Sequence, residues 1–400
     1  MGRLLGEWGA LKMYIKRSME PVLKAAMKKF PVVTVVGPRQ SGKTTLLKHL
    51  LKGVPYVNLE SIRDRQFAEQ DPIGFLNQFD KGVLLDEIQR VPELLSEIQA
   101  RVDANPRVGR YVISGSENLV VSRHIAQTLA GRTAILKLMP LSLAEIPTMP
   151  RLDDLMIKGF YPRVWSSRVK HQDHYSPYTE TFVERDVRDL LAVKNLALFR
   201  KFLGLCAGRV GQLLNRDSLA GDVGVSAKSI EEWLSVLEAT FVMFRLQPWH
   251  RNIGKRLMKS PKLYFYDTGL ACHLMGIETA QQLKHHPLRG SLFENMVVAD
   301  MFKSAYHRGD NPRINFYRDS NDNEVDVVVP VGNQLQPIEI KSADTFDAGF
   351  LKGCVSFSKV VGDEAGVPIV IMGGGAAQKR TNVHVLPWTR MRELGWMQKD

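Results

Sequence analysis

Apolar and polar positions alternate along this chain with two rhythms that change at about a third of its length. Val32–Val36 is a short, almost wholly apolar and β-branched run, as expected of a parallel strand covered on both faces. Similar short runs recur at Tyr56–Glu60, Gly82–Glu87, Tyr111–Ser114 and Thr133–Leu138, with helical periodicity between several of them. Lys16–Lys29, which puts Met19, Leu23, Ala26 and Met27 on one side, reads as a preceding helix ended by Pro31. Five strands with helical crossovers predict an α/β parallel sheet. Pro140, Pro147 and Pro150 then interrupt the pattern, with Pro162 beyond, and the chain turns helical. His174–Lys194 carries an apolar face and the charged belt Glu184–Asp189. Residues 217–234 have the rhythm of a short helix, a Gly-containing turn and a second helix capped by Ser226. A third helix through Leu237 and a strand over Phe241–Leu246 complete what resembles a winged helix. A last unit begins with a helix over Leu288–Tyr306. Strands at Ile314–Arg318, Glu324–Val329 and Gln336–Lys341 follow, the first two joined by a turn at Asn321–Asn323. The divisions expected are 1–146, 147–285 and 286–400.

The first strand runs into Gly37, Pro38, Arg39, Gln40, Ser41, Gly42, Lys43 and Thr44, a complete GxxxxGK[ST] phosphate-binding loop, the Walker A pattern. The two glycines let the backbone curl with its N–H groups inward, and the helix that follows adds its positive N-terminal end. Lys43 is placed to reach the β- and γ-phosphates and Thr44 to offer a hydroxyl to Mg²⁺, with Thr45 continuing the helix. The apolar strand ending in Asp86-Glu87 supplies the matching Walker B acids: Asp86 for the metal through water, Glu87 to orient the attacking water. At the tip of the next strand Ser114, Ser116 and Asn118 all qualify as a γ-phosphate sensor.

Composition places this chemistry in a globular, soluble protein. The chain has 400 residues, and no stretch approaches the roughly 18 uninterrupted apolar residues of a membrane span, so the cytoplasm is the expected location. Cys206, Cys272 and Cys354 are scattered without metal-ligand or disulfide spacing, as buried small apolar residues would be. Lys and Arg outnumber Asp and Glu by 54 to 42, a net charge of +12 that favours a polyanionic partner. The second helix of the helix-turn-helix is mixed in charge, with Lys228 against Glu231 and Glu232. The more basic candidate for DNA is the following loop, with Arg251, Lys255, Arg256 and Lys259, nearby Lys262, and Trp249 alongside.

In the last unit, Glu339 and Lys341 fall on one face of a strand and Asp326 on its neighbour, with Glu294 on the preceding helix. Two carboxylates and a lysine are what metal-assisted phosphodiester hydrolysis requires: Asp326 and Glu339 to hold Mg²⁺, Lys341 to activate water or stabilise developing charge.

These landmarks together resemble a large prokaryotic family of AAA+-type ATPases with a C-terminal domain of unknown function. The likeness runs from about Met13 to the C-terminus. It rests on GPRQSGKTTL at Gly37–Leu46, LLDEIQRVP at Leu84–Pro92, LAGRTAIL at Leu129–Leu136, GFYP at Gly159–Pro162, ERDVRDL at Glu184–Leu190, SPKLYFYDTGL at Ser260–Leu270, and NEVDVVV with IEIKS. The resemblance implies ATP binding and hydrolysis and a C-terminal region similar to the PD-(D/E)xK nuclease fold, with Val325 where that motif has proline. It also implies a homo-oligomeric ring, a hexamer among the candidate sizes, in which an arginine reaches a neighbour's site. Arg123, Arg132 and Arg185 are the candidates. Two functions follow: an ATP-driven DNA-processing or remodelling machine, or a nucleotide-dependent signalling or assembly switch acting on a protein partner, its nuclease-like domain inactive.

Overall fold

A computed structural model describes residues 13–115, 128–167, 169–182, 195–251 and 260–394. Its first sheet contains β1 (Val32–Val36), β2 (Tyr56–Asn58), β3 (Val83–Asp86), β4 (Tyr111–Gly115) and β5 (Thr133–Lys137). All are parallel, in the order β2-β3-β4-β1-β5. Every residue of β1 is buried, because both faces are covered. Met19, Leu23, Leu46 and Leu47 pack on one face and Ile98 and Val102, from the helix Leu94–Ala104, belong to the core of the other. The order sets β4 between β1 and β3, so the strand bearing the phosphate loop and the one bearing the acids are not neighbours. The N-terminal helix spans Glu20–Met27 rather than Lys16–Lys29. Pro21, lacking an N–H, belongs in a first turn and fixes where that helix starts.

In the middle region, the helices Leu196–Ala207, Arg216–Val223 and Ala227–Ala239 precede an antiparallel pair, β6 (Met243–Leu246) and β7 (Lys262–Phe265). Asn215 caps the second helix, Gly224 ends it in the left-handed region at φ 91°, and the Ser226 hydroxyl accepts from the Ser229 N–H to start the third. No separate helix follows. With no breaker before Thr240, the Ser226-capped helix itself continues to Ala239. The helix expected over 174–194 is described over His171–Thr181, and its belt Glu184–Asp189, with Arg185, lies outside the described residues.

The last region is a mixed six-stranded sheet. Strands β8 (Asn315–Arg318), β9 (Glu324–Val331) and β10 (Gln334–Lys341) form an antiparallel meander. The helix Lys352–Val361 crosses over to β11 (Ile369–Met372), parallel to β10, and β12 (Gln378–Arg380) and β13 (Val383–Pro387) complete the order β12-β13-β11-β10-β9-β8. Cys206, Cys272 and Cys354 are all buried and free.

One helix, Arg289–His307, touches all three regions; its 19 residues extend about 28 Å at the usual rise. Near its C-terminal end the Leu143 N–H donates to Asp300 Oδ1 at 2.6 Å, Lys303 Nζ donates to Leu141 O at 3.0 Å, and the Met139 N–H donates to His307 Nε2 at 3.2 Å. At its other end Arg289 donates to Asp153 Oδ1 at 2.8 Å and to Ser342 O at 3.1 Å. Arg17 completes this seam: its guanidinium donates to Ser41 O in the phosphate loop and to Met139 O, both at 2.7 Å, and lies 3.1 Å from Glu145 Oε1. Burial alone would raise the Glu145 pKa, but Arg17 and His307 override it and hold the carboxyl well below its ordinary range.

Candidate functional site

The nine residues from Gly37 to Thr45 form the turn after β1 and the first turn of the helix Lys43–Leu50. Gly37 is obligatory: at φ 155° an added Cβ would lie 2.1 Å from Leu138 O. Gln40 and Gly42 are left-handed, at φ 60° and 94°. The buried Lys43 Nζ donates to Gly37 O and Pro38 O at 2.8 and 2.9 Å, drawing the loop around its ammonium. Thr44 Oγ1 donates to Asp86 Oδ2 at 2.7 Å across the gap between β1 and β3. Tyr56 donates its phenol O–H to the same oxygen at 3.0 Å, and the Ser114 hydroxyl donates to Asp86 Oδ1. Ser114 reaches the acid because β4 runs between the two strands. Of the three residues weighed at this strand tip, Ser116 and Asn118 lie outside the described residues. Glu87 follows Asp86 in the left-handed region, φ 58°, with the Gln89 side-chain amide donating to its carboxylate. A cavity of about 1070 Å³ opens here, lined by Arg39, Lys43, Thr44 and Glu87 together with Arg163 and Thr181.

Arg132 belongs elsewhere. It precedes the first residue of β5, which pairs with Val32, so it sits at the opposite end of the parallel sheet from the phosphate loop. Half-buried there, it pairs with Asp103 at 2.5 Å. That geometry removes it from its own subunit's phosphate site. Arg123 lies outside the described residues.

In the C-terminal sheet, Asp326 stands one position beyond the Val327–Ile338 pair and therefore faces Glu339 across the β9–β10 ladder. Lys341 Nζ donates to Glu339 Oε2 at 2.7 Å and to Asp326 Oδ2 at 3.3 Å, and the Ile340 N–H donates to Asp326 Oδ2 at 2.8 Å. Burial, reinforced by the Asp326 charge, pushes the Glu339 pKa up to about 9. Burial pushes Asp326 the same way, but Lys341 and Lys262 prevail and its pKa is lowered. Glu294, raised to about 7 by burial, approaches from the long helix and accepts from the Tyr264 O–H. Among the described residues no group of three or more His, Cys, Asp or Glu is arranged to hold a metal.

The basic stretch reads differently in three dimensions. Lys262, counted there as a surface cation, is buried on β7 with its Nζ 3.0 Å from Glu294 Oε1 and 2.5 Å from Glu324 Oε1. Trp249 is half-buried, with ring centroids 5.3 Å from Phe357 and 6.4 Å from Tyr317, so it forms part of a packed aromatic group rather than an open platform. Arg251 is exposed and pairs with Glu364 at 2.9 Å, while Lys255, Arg256 and Lys259 lie outside the described residues. Sequence reasoning missed Arg17, Tyr56, Tyr264 and the role of Lys262. The available signal for Lys262 was a lone cation heading the apolar run Leu263-Tyr264-Phe265.

No described helix is long and apolar enough to cross a membrane. An AAA domain family matches residues 29–147, a domain of unknown function (DUF8612) residues 149–281, and a second one (DUF4143) residues 289–391. Among solved structures, the Walker-type ATPase PABY2304 of Pyrococcus abyssi shares 14% identity over 65% of this chain and 96% of its own, with a TM-score of 0.46. An uncharacterized protein of Haemophilus influenzae is 24% identical over 69% of this chain and 75% of its own. The uncharacterized proteins Mb2031c of Mycobacterium bovis and Rv2008c of Mycobacterium tuberculosis are each 30% identical over 334 residues, 82% of this chain and 74% of theirs. With that identity over that length, the chain belongs to the family of these mycobacterial proteins, and its residues 29–147 are an AAA domain.

Proposed function

We propose that this protein hydrolyses ATP with Mg²⁺ and uses the cycle to move or remodel DNA. The observation that carries the ATPase half is the hydrogen bond between Thr44 and Asp86, which brings the end of the phosphate loop onto the acidic strand end beside Glu87. Thr44 and Asp86 together are an oxygen pair suited to Mg²⁺, which would supply positive charge to the phosphate oxygens. Lys43 and the loop N–H groups bind the polyphosphate, Ser114 orients Asp86, and Glu87 positions the attacking water and accepts its proton.

The DNA half rests on the net charge of +12 and on the capped helix pair followed by the β6–β7 hairpin, the arrangement of a winged helix. Arg251, Lys255, Arg256 and Lys259 are the proposed backbone contacts. The C-terminal sheet is read as nuclease-like, with Asp326 and Glu339 as metal ligands and Lys341 beside them. The reason for reading them as cation ligands is that two buried carboxylates directly opposed on neighbouring strands repel unless a proton or a positive charge lies between them, a charge that Lys341 supplies in this structure. The units proposed are 1–146, 147–285 and 286–400, working in the cytoplasm as a homo-oligomeric ring.

One observation favours the alternative of a switch that docks a protein partner. On the helix that would read DNA, Glu231 and Glu238 are held by Arg245 at 2.7 and 2.5 Å, leaving Lys228 and Glu232 as exposed charges of opposite sign. ATP turnover measured with and without duplex and single-stranded DNA separates the two readings. The DNA reading expects stimulation, and binding that weakens steeply with salt and falls for unrelated sequences alike when the four basic residues are neutralised. No stimulation and no DNA binding by the intact protein would favour the switch.

A further inference from the structure

We propose that Lys262 is the resident cation of the C-terminal carboxylate cluster, and that its charge keeps a divalent ion out of it. The proposal rests on the nuclease-like reading of Asp326 and Glu339 and adds a residue from another part of the chain.

Lys262 heads a strand whose other members, Leu263, Tyr264 and Phe265, are all buried, and its own side chain is 3% exposed. An ammonium taken that far from water is strongly disfavoured unless carboxylates meet it. Two do: Glu294 from the long helix and Glu324 from β9. Although burial opposes it, the acids around Lys262, with Asp326 among them, hold its pKa well above the ordinary lysine range. The strand is fixed to the helix at the same place, because the Phe265 N–H donates to Asn295 Oδ1 at 2.7 Å and Asn295 Nδ2 returns a bond to Phe265 O at 3.1 Å. Tyr264 also donates to Glu294, so the hairpin enters the cluster through two side chains, two positions apart on one face of β7.

Glu324 and Asp326, two apart on β9, share one face. Lys341 holds the Asp326–Glu339 side at 3.3 and 2.7 Å, and Arg318 on β8 reaches the other oxygen of Glu324 at 3.1 Å. Four carboxylates from three elements thus share two lysines from two strands. A divalent ion beside Asp326 would stand close to both ammoniums, and charges of like sign at a few ångströms in a buried site repel strongly. The ion and Lys262 therefore compete for the same negative field.

Mn²⁺ titration of the full-length, nucleotide-free protein, followed by electron paramagnetic resonance, tests this. The wild type is expected to bind Mn²⁺ weakly at this cluster. Lys262→Met should tighten binding at least about tenfold, the expected consequence of a 1.4 kcal/mol relief. The gain should vanish when Glu339→Gln is added, and Lys262→Arg, which keeps the charge, should titrate like the wild type. Circular dichroism checks folding. If Lys262→Met fails to fold, Lys262→Gln, which still donates to Glu294, gives the same reading. Equal affinity in the wild type and a folded charge-removing variant overturns the proposal. So does tight wild-type binding that Glu339→Gln abolishes. A gain in Mn²⁺ affinity without DNA cleavage by any variant leaves the proposal standing and removes the nuclease reading. Tight wild-type binding with cleavage does the reverse.

Discussion

The two acidic centres of this protein solve opposite problems. At the end of β3, Asp86 is met by the hydroxyls of Thr44, Tyr56 and Ser114, which donate hydrogen bonds but carry no charge, and it stands beside a cavity of about 1070 Å³. In the C-terminal sheet, Asp326 and Glu339 are met by Lys341, and Glu294 and Glu324 by Lys262. Hydroxyls orient a carboxylate and leave its charge to be used by something arriving from solution. Ammonium groups spend that charge within the fold. The same residue type, a carboxylate held within the fold, therefore makes a site prepared for an outside cation in one place and a self-neutralised cluster in the other.

The strongest way to break this contrast is to remove a cation from the self-neutralised side. Lys341→Met leaves Asp326 buried without its nearest ammonium, and breaking one partner of a buried pair costs about 3–5 kcal/mol. Adding Asp326→Asn should recover most of the loss. The deficit should also depend on pH with a fixed sign. Since the folded pKa of Asp326 is lowered, its stabilisation is present above the ordinary aspartate value, about 3.9, and fades as pH falls through the lower folded value. Without Lys341 the carboxyl takes up a proton more readily. Urea melts should therefore show the gap between variant and wild type widest near neutrality and narrower toward about pH 4. A deficit under about 1 kcal/mol at neutral pH would mean that the cluster does not depend on its own lysine.

The next effect sharpens the other half. Glu87 belongs to the centre that handles an incoming ligand, so its loss should appear in turnover rather than in binding. Glu87→Gln keeps the shape and the contact with Gln89 while losing the base. It should bind ATP as the wild type does and turn it over at least about a hundredfold more slowly. Unchanged turnover would remove Glu87 from the reaction.

How much of this was legible depended on distance along the chain. The phosphate loop and the Asp86-Glu87 strand end could be read because each is a local pattern: an apolar run ending in two acids in one case, and in the other a β-branched run leading to Gly37, where an added Cβ has no room, and Gly42, at positive φ. The hairpin that opposes Asp326 and Glu339 was legible for the same reason, since strand alternation fixes which side chains share a face. Ser114 could not be separated from Ser116 and Asn118, because the choice depends on β4 lying between β1 and β3, a fact of sheet order rather than of spacing. Lys262 looked like part of a basic surface because its partners, Glu294 and Glu324, come much later in sequence. Arg17 was hidden in the same way: its partners Ser41, Met139 and Glu145 come from the loop and from the segment beyond β5. Charge counts locate lysines and arginines, but only the fold says which of them face water.

The smallest expected effect tests whether the hydroxyls around Asp86 merely orient it. Tyr56→Phe keeps the ring, and with it the contact in which Lys48 Nζ lies 3.6 Å from the ring centroid, while deleting the donor to Asp86 Oδ2. Thr44 still donates to that oxygen and Ser114 to the other, so the carboxylate stays aimed. The loss should be that of one hydrogen bond, about 1 kcal/mol in a urea melt, several times less than for Lys341→Met. ATP turnover and its Mg²⁺ dependence should shift by less than about threefold, since no charge has been removed and the oxygen has one fewer competing donor. A tenfold fall in turnover with stability intact would make Tyr56 a participant in the phosphate chemistry. The hydroxyl set would then be part of the reaction, and the difference between the two acidic centres would be smaller than their hydrogen bonds suggest.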